Sequence, residues 1–293
     1  MDQEQIGARL HIGVLGLGRM GTAIAGRLAG QGFQVSGWTR SGAAPGGSTT
    51  RIGLCPDIPA VAAAADILVL SLSDDAAVTG VVRELVRGDL AGKLIVDTST
   101  IGPDTLRSHA DAIRHAGGAA LDAPISGGPD MVMAGKAGFY IGGAAADVAR
   151  FRPVAETLAD RIHHVGALGA GAAAKIVNNM MLMGFWQALK EALQLGKRAG
   201  LDLDTMLKFL ATSPAASGAF QHRLPVLRGA SDAVGFSVAG VVKDGRMFSR
   251  VAAMLQVETP AIAAAIASFG AYDAGGHGEE DLARMVRAAY DAA

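Results

Sequence analysis

His11-Ile-Gly-Val-Leu15 is a short apolar run, followed directly by Gly16-Leu17-Gly18-Arg19-Met20-Gly21 and then by helix-forming residues from Thr22 to Ala29. A strand, a glycine-rich turn and a helix in that order make the phosphate-binding corner of a dinucleotide domain. Gly16 permits the tight turn, Gly18 lets a pyrophosphate approach the backbone, and Gly21 lets the helix pack closely on the strand. The phosphates then lie over the helix N-terminus, where N–H groups and the helix dipole favour negative charge. The glycines alone would fit any glycine-rich turn. The strand before them and the helix after them supply the context that this chemistry requires. Leu17, Arg19 and Met20 travel with the glycines as candidate cofactor contacts.

Working outward, Phe33-Gln-Val-Ser-Gly-Trp38 reads as a second strand ending in Thr39-Arg40-Ser41. An NAD enzyme commonly places an acid here for the ribose hydroxyls. A guanidinium and two hydroxyls stand there instead, which suits the 2′-phosphate of NADP, although a surface arginine after a strand is also common. The reading is therefore NADP rather than NAD. Gly42 to Gly47 reads as a flexible loop and Arg51-Ile-Gly-Leu54 as a minor strand, followed by an alanine-rich helix from Asp57 to Ala65. Asp66 to Leu72 and Lys93 to Asp97 are apolar enough to be buried strands, and the strand–helix alternation implies a parallel sheet with ligands past the carboxyl ends of its strands. Leu72, Ser73, Ser99 and Thr100 stand at those ends, as helix caps or as cofactor contacts. A helix runs from Pro103 to His115. Ala119 to Asp122 leads to Ser126-Gly127-Gly128, which is either a plain turn or a set of N–H groups and a hydroxyl able to hold a carboxylate. Strands at 139–143 and 161–165 flank a helix from Ala145 to Leu158. His163 and His164 are adjacent on a strand, so they point to opposite faces and cannot chelate one ion.

Strand signals stop at Gly166-Ala-Leu-Gly169-Ala-Gly171-Ala-Ala-Ala-Lys175-Ile-Val-Asn178-Asn179. Helices are predicted at 169–198, 202–211, 219–228, 238–255, 259–269 and 278–291, with Gly200, Pro214, Gly229, Pro260 and Gly270 as punctuation. Gly169 and Gly171 would let the backbone approach a ligand. Lys175 and Asn179 are four residues apart and share a helix face. Lys175 is then a solvated surface group, or a buried cation beside an amide that can bind and protonate an oxygen. Ile176, Val177, Met180, Met181, Leu182, Met183, Phe185 and Trp186 leave almost no polar face, which favours burial on most sides. Lys243-Asp244 is a second charged pair on an apolar helix, either a solvated patch or part of a site. The expected fold is an α/β N-terminal Rossmann-type domain, residues 1–166, and an all-α C-terminal domain, residues 167–293, joined by a long interdomain helix.

Composition narrows the function classes. The chain has 293 residues, half of them hydrophobic, enough for two medium cores. A net charge of -1 leaves no basic footprint for nucleic acid and no lysine-rich face for a membrane, so the expected partner is a small molecule. The single cysteine, Cys55, excludes an internal disulfide and suits a cytoplasmic setting. No zinc-type cluster is present, so no metal is expected. Met1 to Gly7 is polar and unlike a signal peptide, and no apolar run is long enough to span a bilayer.

The motifs Gly16-Leu-Gly-Arg-Met-Gly21, Asp97-Thr-Ser-Thr-Ile101, Asp122-Ala-Pro-Ile-Ser-Gly-Gly128, Gly169-Ala-Gly171 with Lys175 and Asn178-Asn179, and Lys243-Asp244 occur here in one order. In that order and spacing the sequence resembles the β-hydroxyacid dehydrogenase family, over nearly its whole length. The resemblance implies NADP(H)-linked oxidation of a small 3-hydroxy acid or reduction of its semialdehyde, with Lys175 as general acid or base. It implies that Ser126, Gly127, Gly128 and Asn179 hold the substrate carboxylate and hydroxyl, that Lys243 lies by the nicotinamide, and that the long helix builds a homodimer or homotetramer. Imine reductases share the fold and the NADP preference but usually lack the lysine, as do catalytically silent binding modules among the relatives. Three departures stand out. Met131-Val132 replaces a glycine–alanine pair, Gly245 replaces the leucine after Lys-Asp, and Gly240 replaces a larger apolar residue.

Overall fold

A computed structural model describes residues 10–42 and 52–293. The polar N-terminal segment, the expected loop beyond Gly42, and Arg51 of the minor strand lie outside the described residues. The chain divides into two compact units after Lys175.

The first unit alternates strand and helix. Its elements are β1 (His11–Leu15), α1 (Arg19–Gly30), β2 (Gln34–Trp38), β3 (Gly53–Leu54), α2 (Ile58–Ala64), β4 (Ile67–Leu70), α3 (Asp75–Leu85) and β5 (Leu94–Asp97). Then follow α4 (Pro103–Arg107), α5 (Ala110–His115), β6 (Ala119–Asp122), β7 (Ile125–Ser126), α6 (Pro129–Ala134), β8 (Ala137–Gly142), α7 (Ala145–Leu158), β9 (Ala159–Gly166) and α8 (Ala170–Arg198). The strands order as β3-β2-β1-β4-β5-β6-β8-β7, with β9 paired to β8. Ile67, Val69, Leu94 and Val96 point into one core with Ile12 and Val14, while Leu68, Leu70 and Ile95 point into the other with Leu15. Both faces are covered, so these strands read as unbroken apolar runs rather than as an alternation. This is the expected Rossmann-type arrangement.

Its edge departs from expectation. β8 runs antiparallel to β6 and β7, so the sheet is mixed rather than wholly parallel. Between Asp122 and Ala137 the chain spends its length on β7 and the six-residue α6 rather than on a crossover helix, and it returns antiparallel. The two-residue β7 directly follows Pro124, and the sequence offered no periodicity to reveal it. The stretch from Pro103 to His115 forms two short helices instead of one. α3 is capped by Asp74, whose carboxylate accepts the Ala77 N–H at 2.8 Å.

Asp122 fixes the exit from the sheet. Its carboxylate accepts the Gly169 N–H at 2.7 Å and the Ala172 N–H at 2.6 Å, satisfying donors in the first turn of α8. A Cβ on Gly171 would collide with the Tyr140 carbonyl, and one on Gly169, where φ is +95°, would lie 2.7 Å from the Pro103 carbonyl. These glycines therefore admit neighbouring backbone. The expectation that they bring backbone to a ligand is corrected.

The second unit is helical. After the rest of α8 come α9 (Leu203–Ala211), α10 (Gly218–Leu227), α11 (Val238–Met254), α12 (Pro260–Tyr272), a π-helical turn (Asp273–His277) and α13 (Leu282–Ala292). Its core includes Trp186, Phe220, Phe248 and Phe269. α12 runs through Gly270, which was expected to stop it, because Gly276, at φ +93°, takes the break instead. The last helix starts at Leu282 rather than 278, since Asp281 is its N-cap and accepts the Ala283 N–H. α8 is less enclosed than its composition suggests, with Val177 65 %, Met181 74 % and Leu195 74 % exposed. No helix among the described residues is long and apolar enough to cross a membrane, and none of them forms a metal-binding cluster.

Burial leaves an electrostatic mark at the strand ends. Asp97 and Asp122, neighbours in register on β5 and β6, have their carboxyls pushed by desolvation from the usual 3.8 up to about 6, against the lowering effect of their hydrogen bonds. Asp97 accepts the Ser99 N–H at 2.8 Å through Oδ1, while Oδ2 lacks a partner among the described residues. Below about pH 4 both folded and unfolded chains are protonated and the group is neutral in the balance. Between about 4 and 6 the unfolded chain ionises first, so stability falls as pH rises, and above 6 a cost of about 3 kcal/mol remains. Asp97→Asn keeps the Oδ1 acceptor and should flatten this slope, gaining about 1–3 kcal/mol at pH 7 and nothing at pH 4. Urea unfolding of both proteins across that range checks it; parallel pH profiles would contradict it.

Candidate active site

At the nucleotide corner the three glycines face different surroundings. Gly16, at φ +103°, has the Ser71 carbonyl and Leu72 where a Cβ would be, and a Cβ on Gly21 would strike the Gly16 carbonyl. A Cβ on Gly18 would meet nothing within 4 Å. The first and third glycines thus pack chain on chain, while the second opens onto space at the N-terminus of α1, which no side chain caps. This suits a pyrophosphate. Arg19 is exposed and Met20 half-buried, whereas Leu17 is buried with its side chain against Gly37, leaving only its backbone to meet a cofactor. After β2, Thr39 Oγ1 and Ser41 Oγ lie 3.5 Å apart and Arg40 is exposed. At the ends of β4 and β5 the Leu72 N–H donates to Ser99 Oγ at 2.9 Å, and Ser73 Oγ donates to Asp74 at 2.8 Å. Ser99 therefore links two strand ends rather than capping a helix, and Thr100 is half-buried beside it.

The Ser126-Gly127-Gly128 turn joins β7 to α6. Gly127 has φ +131°, and a Cβ there would sit 3.0 Å from Met131 Sδ, so the Met131 side chain covers one side of this turn. Val132 is fully buried in the sheet core. The two residues that replace the family's glycine–alanine pair thus part company. One shapes the turn and the other fills the core. Lys175, only 9 % exposed, donates from Nζ to the Ile125 carbonyl at 2.6 Å, one residue before Ser126. Helix and turn are joined through an ammonium held out of bulk water.

In the helical unit, Asn178 Nδ2 donates to Asn179 Oδ1 at 2.9 Å, and Asn179 is buried. That contact orients the Asn179 amide and leaves its NH2 group able to donate to another oxygen. Asn179 also lines a small apolar cavity of about 10 Å³, the room of about one water molecule, with Trp186, Phe236, Asp244, Phe248 and Leu282. Lys243 is partly exposed and pairs at 2.8 Å with the buried Asp244 carboxylate. Trp186 was legible only as part of the apolar face of the long helix, and nothing in the sequence singled out Phe248. Phe220 is fully buried and packs edge-on to Phe185. His163 stacks on Tyr140, and His164 Nε2 lies by the Gly143 carbonyl.

Comparison with known proteins agrees with this architecture. Residues 11–166 match the model of the NAD binding domain of 6-phosphogluconate dehydrogenase, and residues 169–289 match that described as NAD-binding of NADP-dependent 3-hydroxyisobutyrate dehydrogenase. The 2-(hydroxymethyl)glutarate dehydrogenase of Eubacterium barkeri is 31% identical over 287 residues, which are 95% of this chain and 94% of that protein. The 3-hydroxyisobutyrate dehydrogenase of Pseudomonas aeruginosa is 37% identical over 206 residues, 65% of each chain. Among solved structures, the 3-hydroxyisobutyrate dehydrogenase of Mycobacterium tuberculosis superposes with a TM-score of 0.85 at 29% identity, covering 95% of this chain and 98% of that one. The chain belongs to the β-hydroxyacid dehydrogenase family and is an NAD(P)-dependent hydroxyacid dehydrogenase.

Proposed function

We propose that this enzyme interconverts a small 3-hydroxy acid and its semialdehyde with NADP(H), Lys175 being the proton donor and acceptor. The observation that carries the reading is the buried Lys175 ammonium on the Ile125 carbonyl, one residue from the Ser126-Gly127-Gly128 turn. The bound nicotinamide supplies or accepts the hydride. The chain's own residues do the rest. Gly16, Gly18, Gly21 and the N–H groups of Arg19 and Met20 would hold the pyrophosphate, with Leu72, Ser73 and Thr100 beside the cofactor and Lys243 by the nicotinamide. The Ser126 hydroxyl and the N–H groups of Gly127 and Gly128 take the substrate carboxylate, and the Asn179 NH2 takes its hydroxyl oxygen. Lys175 gives its proton to the oxygen as negative charge develops there, and removes it in the oxidation direction.

Several observations support the finer assignments. Thr39, Arg40 and Ser41 form a cationic, hydroxyl-bearing end to β2, which favours the 2′-phosphate of NADP over the ribose hydroxyls of NAD. The M. tuberculosis structure is described with L-serine, itself a 3-hydroxy acid. Lys175 argues against imine reduction and against a silent binding module. The exposed Val177, Met181 and Leu195 on α8 suit a homodimer or homotetramer, and Cys55 alone supports a cytoplasmic setting. Residues 1–166 are assigned to the nucleotide and 167–293 to substrate and assembly.

Lys175→Ala should lower kcat by on the order of 10² to 10⁴ while NADPH still binds, as followed by nicotinamide fluorescence. Retention of more than about a tenth of the wild-type rate at saturating substrate would overturn the role. Arg40→Asp should reverse the cofactor preference in kcat/KM, because a carboxylate pairs with the ribose hydroxyls and repels the 2′-phosphate. Wild-type enzyme already favouring NAD would refute the NADP assignment.

Met131 and Val132 should separate cleanly. Met131→Gly uncovers Gly127 and should re-rank 3-hydroxy acids by about 10- to 200-fold in relative kcat/KM. Val132→Ala should cost on the order of 2 kcal/mol of stability and leave the ranking alone. Melting temperatures and specificity constants on the same set decide it, and an unchanged ranking in Met131→Gly would place specificity elsewhere.

A further inference from the structure

Asp281 takes no part in the chemistry above, yet its side chain is fully buried and densely engaged. Oδ2 accepts the Gly235 N–H at 2.9 Å and the Phe236 N–H at 3.2 Å, and pairs with Arg223 Nε at 3.1 Å. Oδ1 accepts the Ala283 N–H at 3.0 Å and so caps α13. The backbone around it completes a clasp. The Leu282 N–H donates to the Phe236 carbonyl at 3.1 Å, and the Val238 N–H donates to the Glu280 carbonyl at 2.9 Å. Phe236 is thereby held at both its N–H and its carbonyl in a segment that has no helix of its own. Its ring lies against Gly240, where a Cβ would be 3.0 Å from Phe236 Cε2. Phe236 and Leu282 are both walls of the cavity that Asn179 lines.

We propose that Asp281 is a positioning residue that fixes Phe236 as a wall of the Asn179 cavity and so sets the size of the apolar group a substrate carries beside its hydroxyl. The inference rests on the reading that Asn179 holds the substrate hydroxyl. An ionised carboxylate presents lone pairs to all these donors at once, whereas an amide presents one oxygen and turns an NH2 group toward N–H donors. Asp281→Asn therefore releases the 235–236 segment while changing the volume of the side chain hardly at all. The Arg223 guanidinium cannot substitute for the missing acceptor, since it only donates.

The test is a double-variant cycle measured on kcat and KM. Wild type, Asp281→Asn, Phe236→Ala and the double variant are assayed with 3-hydroxy acids bearing hydrogen, methyl or ethyl at the 2-position, with melting temperatures recorded for each. Asp281→Asn should raise KM by about 10-fold, more steeply for the larger substituents, with kcat altered less than about threefold. In the Phe236→Ala background the same change should add less than about twofold, because the wall it positions is already gone. Additive losses in folded double variant, or a KM change that ignores substituent size, would overturn the positioning role. Should Asp281→Asn fail to fold, Gly235→Ala serves instead, since its Cβ would press on the Arg223 guanidinium and lever it off Asp281 without altering the carboxylate. The same substituent-graded KM is expected there, and wild-type KM values would refute the inference. Phe236→Ala with unchanged kinetics on every substrate would remove this cavity from the functional reading itself, an outcome distinct from additivity.

Discussion

The site depends first on a buried carboxylate at the end of a strand. Asp122 closes β6 and accepts two N–H groups at the start of α8, where otherwise the helix would begin with orphaned donors inside the protein. The interaction is not cheap. Desolvation raises the Asp122 carboxyl to about 6 despite its hydrogen bonds, so burial outweighs the donors that favour the anion. What it secures is direction. The first turn of α8 is held against the sheet, and Lys175 follows Ala172 by three residues, close enough that this anchoring delivers its ammonium to the Ile125 carbonyl. Gly142, Gly169 and Gly171 belong to the same constraint, because a Cβ at any of them would meet backbone or the Asp122 carboxylate. A glycine motif that looks like ligand chemistry in the sequence turns out to be the space needed for this joint.

The other glycine motif divides its labour differently. Gly16 and Gly21 are required by close packing of chain on chain, and only Gly18 faces open space. A fingerprint of three glycines therefore contains two structural requirements and one functional opening. The same division recurs at Met131 and Val132, adjacent in sequence and opposite in role. Val132 belongs to the core beneath the sheet edge, while Met131 lies across Gly127 and covers one side of the turn. The turn after β7 thus has its backbone shape set by glycine and its breadth set by a side chain four residues on.

The elements legible in the sequence were those with a local signature. Unbroken apolar runs marked β4 and β5, an alanine-rich run marked α2, and the corner between β1 and α1 carried its own glycines. What escaped had its cause elsewhere in the chain. β7 is two residues long and exists because β8 returns beside it; nothing within Ile125-Ser126 announces a strand. Gly270 reads as a helix stop, yet α12 passes through it because the left-handed break falls at Gly276. Lys175 could be located on a helix face from spacing alone, but its carbonyl partner lies 50 residues away in sequence and became visible only in three dimensions. Burial of α8 was overestimated for a related reason. An apolar composition shows that a helix has surface to cover, and does not show which part of it this chain covers.

Departures from the family pattern in the helical unit are explained by neighbours that occupy the vacated volume. A Cβ on Gly245 would lie 2.6 Å from Ile266 Cγ1 and 2.8 Å from Met183 Cε, so α12 and α8 fill the space that a leucine beside Lys243-Asp244 would take. The core stays packed, and the Lys243–Asp244 ion pair keeps its place on α11. Gly240 works the other way round, since the absent side chain makes room for the ring of Phe236. The first substitution is therefore an exchange of volume within the core. The second moves an aromatic wall toward the helix that carries Lys243, and a wall set by a glycine on one side and by the Asp281 clasp on the other has little freedom to adjust. On the proposed reading, selectivity for small substrates would draw on rigidity at Phe236 as much as on the polar groups assigned to hold them.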